Sequence, residues 1–323
     1  MSGSDVGAWQ GAKEKSEDHL KLTPEQNRLV TARWEAAQEA RGRLDGIMRG
    51  IEDRSVSRGG KLEGLENSLK GLDSFRRKAA VEVKRNGGDA QEVCEDVDDL
   101  NRYTLTFEAD AYVEGTNQAY AELRSRGYET LSETNTWEDP VYKGVNTTWQ
   151  HPETEEKFEL QFHTPESFAA KSENHELYEL TRSGKFEQIG AGDKELAKSY
   201  KEAADLLQNE RYANVRIPPG AEELREPLVR AKLNPDVDPE IVKEVRGMEA
   251  DLRAIHEAAA VQRNEQRQSA LPGTALEESL QKEGPGLRNR LATKTESKQQ
   301  SRTTAPTADP LPAQSRGRGP ALM

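Results

Sequence analysis

Residues 157–167 read KFELQFHTPES, and the prediction of the fold starts from this short run. Its three apolar residues alternate with Glu159, Gln161 and His163, which is the period of a strand with one buried face. The Thr-Pro pair that follows is a helix start signal, so a helix is predicted from there to about Arg182. A strand with one polar face, followed directly by a helix, is therefore expected at the centre of the molecule.

Upstream of this unit, the spacing of apolar residues changes twice. Residues 102–107, RYTLTF, alternate as a second strand. The apolar residues that follow recur at helical spacing and stop at Gly127, a natural helix end. Further short strands are predicted near residues 128–131 and 143–149. Strand, helix, strands and helix in this order predict an α+β fold with a mixed β-sheet.

The flanks of this region are predicted to be helical and highly charged. The leucine run at residues 62–72 is expected to change from helix to strand or loop, and the chain from Leu271 onward, which has no aromatic residue, to be disordered. Helices are predicted at residues 22–52 with a break near Gly42, at 196–207 and at 239–266. The predicted domains are a helical N-terminal extension (1–55), a packed domain (56–190), a charged helical region (191–270) and a disordered tail (271–323).

The composition limits the function. Only 33% of the residues are hydrophobic against 32% charged, and the net charge is -12. This charge disfavours bulk electrostatic binding to nucleic acid or to an anionic membrane. The single cysteine, Cys94, excludes an internal disulfide, and no stretch has the ~20 apolar residues of a membrane span. Without a signal peptide at the N-terminus, a cytoplasmic location is expected, and non-classical export stays open.

Basic residues recur at four-residue intervals within LKGLDSFRRK, where Lys70, Ser74 and Lys78 follow one another. Lysines at this spacing supply the point charges that a polyphosphate needs, and the small residues let backbone amides approach an anion. The alternative interpretation is an ordinary amphipathic basic helix on the surface.

Two groups of carboxylates are candidates for a metal site. Asp96, Asp98 and Asp99 lie just before the strand that begins at Arg102, and Glu159 lies within the strand at 157–163. If the two strands are neighbours, these oxygens suit Mg²⁺, which completes its shell with water and substrate phosphates. The alternative is a solvated acidic loop beside an edge strand with a solvated polar face.

Four motifs in this order resemble the synthetase domain of the RelA/SpoT superfamily, the alarmone-forming pyrophosphokinases. They read LEGLENSLKGLDSFRRK, DDLNRYTLTF, NTWEDPVYKGVN and FELQFHTPESFAAKSENHELYE, and lie between Leu62 and Arg182. The last is the most specific, because the acidic strand, the Gln and the helix with Lys171 and His175 match together. The similarity is greatest to small, single-domain and toxin-type actinobacterial members. It implies a nucleotidyltransferase-like mixed sheet and Mg²⁺ as the cofactor.

The resemblance also implies how ATP is held. Contacts to ATP are implied for Lys70, Ser74, Lys78 and Arg102. Ser68 stands where the leading Arg of the first motif is usual, which puts the affinity for ATP in question. Asp99 matches the metal-binding Asp of the family, and Asp98 competes with it for this role.

The acceptor side follows from the same resemblance. Contacts to the acceptor are implied for Tyr142, Lys143, Asn146, Gln161 and His163. Tyr142 matches a residue on which the acceptor base stacks, Asn146 stands where His is typical, and His163 lies where a cation often contacts phosphate. Glu159 matches the residue that shares the metal with Asp99 and lies near the attacking hydroxyl.

The implied reaction is Mg²⁺-dependent transfer of pyrophosphate from ATP to the 3′-hydroxyl of a guanosine or adenosine nucleotide (GDP, GTP, ADP or ATP). No His-Asp pair of a hydrolase partner occurs in the chain, so synthesis is unopposed within it, which favours a growth-arresting toxin. Two alternatives stay open. The same fold can pyrophosphorylate tRNA 3′ ends, which the net charge disfavours, or the chain is a non-catalytic nucleotide-sensing or interaction protein whose helical flanks bind a protein partner.

Overall fold

The computed structural model describes residues 6–13, 17–85 and 87–269. The strands in this part of the chain are β1 (Trp9–Gln10), β2 (Lys21–Leu22), β3 (Lys61–Glu63), β4 (Arg102–Thr106), β5 (Glu129–Asn135), β6 (Val145–Gln150) and β7 (Lys157–His163). The helices are α1 (Pro24–Ser55), α2 (Leu72–Arg85), α3 (Ala90–Asp96), α4 (Tyr112–Ser125), α5 (Pro165–Glu173), α6 (His175–Arg182), α7 (Lys185–Gly190), α8 (Lys194–Tyr212), α9 (Ala221–Leu224) and α10 (Pro239–Ser269).

Strands β3, β4, β7, β6 and β5 form, in that order, a five-stranded mixed sheet. The pair β4 and β7 is parallel, and the other pairs in this sheet are antiparallel. In the parallel pair, Arg102 lies opposite Glu159 and Thr104 lies opposite Gln161. The predicted α+β fold with a mixed sheet is therefore confirmed, and the two strands that carry the candidate residues are neighbours.

The two faces of this sheet differ in character. Tyr103 of β4 and Phe158 and Leu160 of β7 are buried in a cluster with residues of α1 and α4. Because side chains alternate along a strand, the opposite face carries Arg102 and Glu159. The predicted strand at 157–163 is confirmed, and its polar residues lie on the second face of the sheet.

Helix α1 is longer and more regular than its sequence predicts. A capping box between Thr23 and Gln26 starts it, and it runs unbroken through Gly42. The predicted break at Gly42 is wrong because a helical glycine costs about 1 kcal/mol, less than the roughly 1.5 to 3 kcal/mol gained by fully burying one large apolar side chain such as Leu44. The apolar residues of α1 join both the sheet cluster and a second cluster with α2 and α3. The domain boundaries stay a prediction.

The helix predicted from residue 164 to 182 is in fact two helices, α5 and α6, which meet at Asn174. The side chain of Asn174 is buried, where it donates to the Gln208 carbonyl and accepts from Arg211 of α8. These hydrogen bonds to α8 stabilise the break between α5 and α6. The predicted order within the leucine run at 62–72, from helix to strand or loop, is wrong, because the run supplies β3 first and the start of α2 last. Gly127, with φ of 87°, ends the helix before β5 as predicted.

The chain divides into two compact units, Met1–Arg253 and Ala254–Met323. Of the second unit the structure describes residues 254–269, which are helical. The predicted disordered tail from Leu271 lies outside the described residues. Within the described part, no helix has the length and apolar character needed to cross a membrane.

Candidate active site

Glu159 lies near the start of β7, where its backbone N–H donates to the Asn101 carbonyl at 2.9 Å. Its side chain is half-buried, and Oε1 accepts a hydrogen bond from the Gln161 amide nitrogen. The Gln161 amide oxygen in turn accepts from Lys171 of α5. A lysine, an amide and a carboxylate therefore form a continuous chain on the polar face of the sheet.

Asp99 lies just before β4 and accepts from two ammonium groups. Lys70 Nζ is 2.5 Å from its Oδ2, and Lys78 Nζ is 2.8 Å from its Oδ1. Burial acts to raise the pKa of Asp99, but the two lysines outweigh it and hold this pKa well below its usual range. Burial lowers the pKa of Lys70, against the attraction of Asp99. Asp99 is thus ionised, and it gathers the two lysines for which phosphate binding is predicted.

Backbone pairing of Leu69 with Asn101 brings Lys70 beside Leu100, the residue after Asp99. The Lys70 N–H donates to the Leu100 carbonyl at 2.8 Å, and the Arg102 N–H donates to the Ser68 carbonyl at 2.7 Å. On the other side, the Trp34 indole of α1 donates to the Lys70 carbonyl at 2.7 Å. The segment before α2 is therefore bound to the start of β4, and Lys78 reaches the same carboxylate from the second turn of α2.

The structure separates the two competing aspartates. Asp98 faces Lys157, with Oδ1 at 3.3 Å from Nζ, whereas Lys70 and Lys78 both contact Asp99. Ser74 is half-buried on α2 and its hydroxyl accepts from Arg77 at 3.4 Å. Arg102 is exposed at the start of β4. This placement favours Asp99 over Asp98 as the carboxylate of the site.

Ser68 faces away from the polar side of the sheet. Its hydroxyl donates to Asp45 at 3.1 Å and accepts from Arg41 at 3.0 Å, both on α1. The hydroxyl of Tyr103, which belongs to the apolar side, donates to the same Asp45 oxygen at 2.8 Å. Sequence reasoning missed this network, because nothing in the pattern of α1 ties Arg41 and Asp45 to residue 68.

Tyr142 belongs to a network of neutral groups. Its ring is half-buried and lies edge-on to His163, with ring centres 5.4 Å apart. Its hydroxyl is 2.9 Å from Asn146 Oδ1 and 3.1 Å from His163 Nε2. His163 Nδ1 lies 3.0 Å from the Lys143 carbonyl and 3.0 Å from the Ser167 hydroxyl. Since a carbonyl only accepts, His163 Nδ1 carries the proton, and Nε2 and Asn146 Oδ1 are both acceptors for the single hydroxyl proton of Tyr142.

Two of the residues for which acceptor contacts are implied are buried and have partners within the protein. His163 is fully buried, and burial lowers its pKa well below the usual value, so it is neutral and does not offer a cation to phosphate. Lys143 is buried as well, and its ammonium donates to the Trp137 carbonyl at 3.0 Å. Both side chains serve to hold the loop that carries Tyr142.

Asp139 anchors that loop, and sequence reasoning missed it. It is buried, and Oδ1 accepts from the backbone N–H groups of Val141 and Tyr142 at 2.9 and 3.2 Å. Oδ2 accepts from the N–H groups of Arg230 and Ala231 at 2.6 and 3.1 Å. The Asp-Pro pair at this position is a turn signal and could have indicated the anchor.

The two candidate metal ligands fit Mg²⁺ by their donor chemistry. In the described residues, no group of three or more His, Cys, Asp or Glu is placed to hold a metal ion. Asp99 and Glu159 instead offer one carboxylate each from the same end of the parallel pair β4 and β7. Mg²⁺ is commonly bound through one or two carboxylates, with water and substrate phosphates as its other ligands.

Several solved structures are similar to this chain. A complex of the Type VI effector Tas1 with its immunity protein matches at 21% identity and a TM-score of 0.32, covering 71% of this chain and 96% of that chain. A GTP pyrophosphokinase family protein from Streptococcus pneumoniae matches at 13% identity and a TM-score of 0.35, covering 56% and 90%. Small alarmone synthetase 1 from Bacillus subtilis matches at 15% identity and a TM-score of 0.35, covering 56% and 92%.

No protein-family model matches the chain, and neither does any curated protein.

Proposed function

We propose that this chain transfers pyrophosphate from ATP to the 3′-hydroxyl of a guanosine or adenosine nucleotide. One observation carries the proposal. An ionised aspartate that holds two lysines lies at the same end of a parallel strand pair as a half-buried glutamate on the polar face of the sheet. Phosphoryl-type transfer depends mainly on positioning and on charge stabilisation, and this arrangement supplies groups for both.

In the proposed reaction, the acceptor 3′-oxygen attacks the β-phosphorus of ATP. The new O–P bond forms as the bond between the β-phosphorus and the oxygen that bridges it to the α-phosphate breaks, and AMP leaves with that oxygen. The proton of the acceptor hydroxyl passes to Glu159 or, through it, to solvent. Glu159 therefore orients the attacking hydroxyl, and the in-line geometry depends on how well this carboxylate is held.

The phosphates of ATP compete with Asp99 for Lys70 and Lys78. Both lysines lie on one carboxylate in the free protein, and polyphosphate offers them several more anionic oxygens. Mg²⁺, held by Asp99 and Glu159, would neutralise phosphate charge during transfer. Ser74 and Arg102 flank this group and are proposed to contact ATP as well.

On the acceptor side, Tyr142 is proposed to stack on the acceptor base. The base contact needs an aromatic face in a fixed position, and the bonds of the Tyr142 hydroxyl to Asn146 and His163 fix the ring. Gln161 is proposed to contact the acceptor beside Glu159. Lys143 and His163 are proposed only to support the loop that carries Tyr142.

AMP release tests the proposal. The purified protein is incubated with Mg²⁺, α-labelled ATP and, in separate reactions, GDP, GTP, ADP or bulk tRNA, and labelled AMP is followed over time. AMP formation that depends on a nucleotide acceptor supports the proposal. AMP formation only with tRNA would establish the alternative acceptor, and no AMP in any reaction would leave the non-catalytic alternative.

We also propose that the activity arrests growth, since the chain contains no His-Asp hydrolase motif to reverse the synthesis. Induced expression in a bacterial host is expected to stop growth, and the Glu159→Gln variant is expected to relieve the arrest. Equal arrest by both proteins would contradict the role of this site. A protein partner on the helical flanks stays a prediction.

A further inference from the structure

Lys171 lies beside the candidate site, and the proposed pyrophosphate transfer gives it no role. It is half-buried on α5, and its close partners are the amide oxygen of Gln161 and the ring of Phe168, whose centre is 5.5 Å away. Burial and, after it, the nearby charge of Arg102 lower the pKa of Lys171 to about 8 against the attraction of Glu159. A cation is therefore held directly by a neutral amide and an aromatic ring, with a second cation and the Glu159 carboxylate nearby.

Such a placement does not favour folding. A partly buried ammonium gives up hydration, and a neutral amide replaces it less well than a carboxylate does. An apolar residue of the same length could fill this place between Phe168 and the sheet. The cost points to a role in function, as perturbed groups in a cleft often do.

The contacts of Lys171 dictate the orientation of the Gln161 amide. An ammonium group only donates hydrogen bonds, so the amide oxygen must face Lys171. The amide nitrogen then faces Glu159 and donates to Oε1. Without the lysine, the amide oxygen loses its partner, and only the bond to Glu159 is left to orient the amide.

We infer that Lys171 is a positioning residue that acts through Gln161 to orient Glu159. This inference rests on the proposed pyrophosphate transfer, since it names a further residue of the same site. Lys171 sets the direction of the amide, the amide holds one carboxylate oxygen, and the carboxylate orients the attacking hydroxyl. The carboxylate of Glu159 is thus held by a residue of α5, a helix that carries neither Lys70 nor Lys78.

Kinetics of Lys171→Met, Lys171→Arg and the exposed control Lys194→Met test the inference. Lys171→Met is expected to lower kcat about 10- to 100-fold, the size of effect that small misplacements produce, with an unchanged KM for ATP. The melting temperature is expected to stay equal or rise. Lys171→Arg, which also only donates, is expected to recover much of the loss, and Lys194→Met to match the wild type.

A double-mutant cycle separates positioning from direct contact with substrate. If Lys171 acts through Gln161, Lys171→Met has no further effect on kcat in a Gln161→Leu background. A further loss in that background would overturn the inference, as would wild-type kcat in Lys171→Met. A parallel fall in melting temperature, ATP affinity and kcat would instead show a merely structural lysine.

A measurement on the protein alone keeps this test apart from the proposed function. In ¹⁵N-glutamine-labelled protein, the Gln161 side-chain amide signal is assigned by its loss in Gln161→Leu. In Lys171→Met, this signal is expected to shift and its protons to exchange faster with solvent. If the wild type releases no AMP but the signal still shifts, the proposed function fails while the contact stands. An unchanged signal overturns the inference whatever the activity.

Discussion

The two halves of the candidate site are built on different physical principles. Around Asp99, two ammonium groups share one carboxylate, and the cluster is held by charge. Around Tyr142, a hydroxyl, an amide and a neutral imidazole share hydrogen bonds, and a buried aspartate holds the loop by its backbone. In the charged half, another anion can replace Asp99 as the partner of the lysines. In the neutral half, hydrogen bonds already fix the position of Tyr142.

This difference assigns separate tasks to the two halves. Phosphates can replace Asp99 as the partner of the lysines, so ATP binding is expected to rearrange the charged half. The neutral half gains nothing from an anion and is expected to keep its geometry. Substitutions should therefore affect the binding of ATP and the binding of the acceptor separately.

Glu159 links the two halves, and its loss is expected to have the largest effect. Glu159→Gln keeps the volume and removes the charge, so transfer should fall by about 10²- to 10³-fold or more, the range seen when one preorganised group is removed. The melting temperature should change little. Glu166→Gln, an exposed change on the adjoining helix, is the matched control. Turnover near that of the wild type in Glu159→Gln would refute the site.

Asp99→Asn is expected to weaken the charged half specifically. The change leaves two partly buried lysines without their anion, and charge-assisted bonds of this kind are worth about 1.5 to 3 kcal/mol. Transfer should fall roughly 100-fold and the melting temperature should drop, while acceptor KM stays constant. Calorimetry and kinetics measure these quantities. Asp98→Asn serves as control, and if that variant is the damaged one, Asp98 and not Asp99 is the carboxylate of the site.

Tyr142→Ala is expected to weaken the neutral half specifically. Base stacking on an aromatic ring is worth about 1 to 3 kcal/mol, so the apparent affinity for the acceptor should fall about ten-fold to a hundred-fold with ATP affinity unchanged. Tyr142→Phe keeps the ring but loses the bonds to Asn146 and His163, so a smaller loss is expected. Titrations of each nucleotide with melting curves give the readout. A joint loss of stability and both affinities would make Tyr142 a core residue.

The smallest expected effect is the acid sensitivity of the neutral half. The pKa of buried His163 is well below its usual value. At a pH between the pKa of the folded protein and that of the unfolded chain, the unfolded chain therefore binds more protons than the folded protein. Stability therefore falls as pH drops below about 6.5 and is unaffected by this residue above it, with a slope of at most about 1.4 kcal/mol per pH unit. Melting curves from pH 8 to pH 5 should show a weaker dependence in His163→Asn than in the wild type. Parallel curves would contradict the neutral assignment.

The sequence predicts the strands better than it predicts the environment of their side chains. The alternation at 157–163 locates β7 because a half-buried strand requires it. The same pattern cannot reveal that α5 and the Tyr142 loop cover the end of this polar face and bury His163. Ser68 is a similar case, since its inward direction depends on α1, more than twenty residues away along the chain. Long-range packing determines these features.

The position of the transferred atoms tests the central claim most directly. Wild-type protein and Glu159→Gln are each given the acceptor that supports AMP release, with ATP labelled at either the α- or the γ-phosphorus. In the wild type, γ-label is expected on the acceptor and α-label in AMP only, while Glu159→Gln moves neither. Release of ADP with γ-label on the acceptor would mean single phosphoryl transfer, and equal transfer by both proteins would mean that the chemistry occurs elsewhere. Either result would contradict pyrophosphate transfer at this face of the sheet.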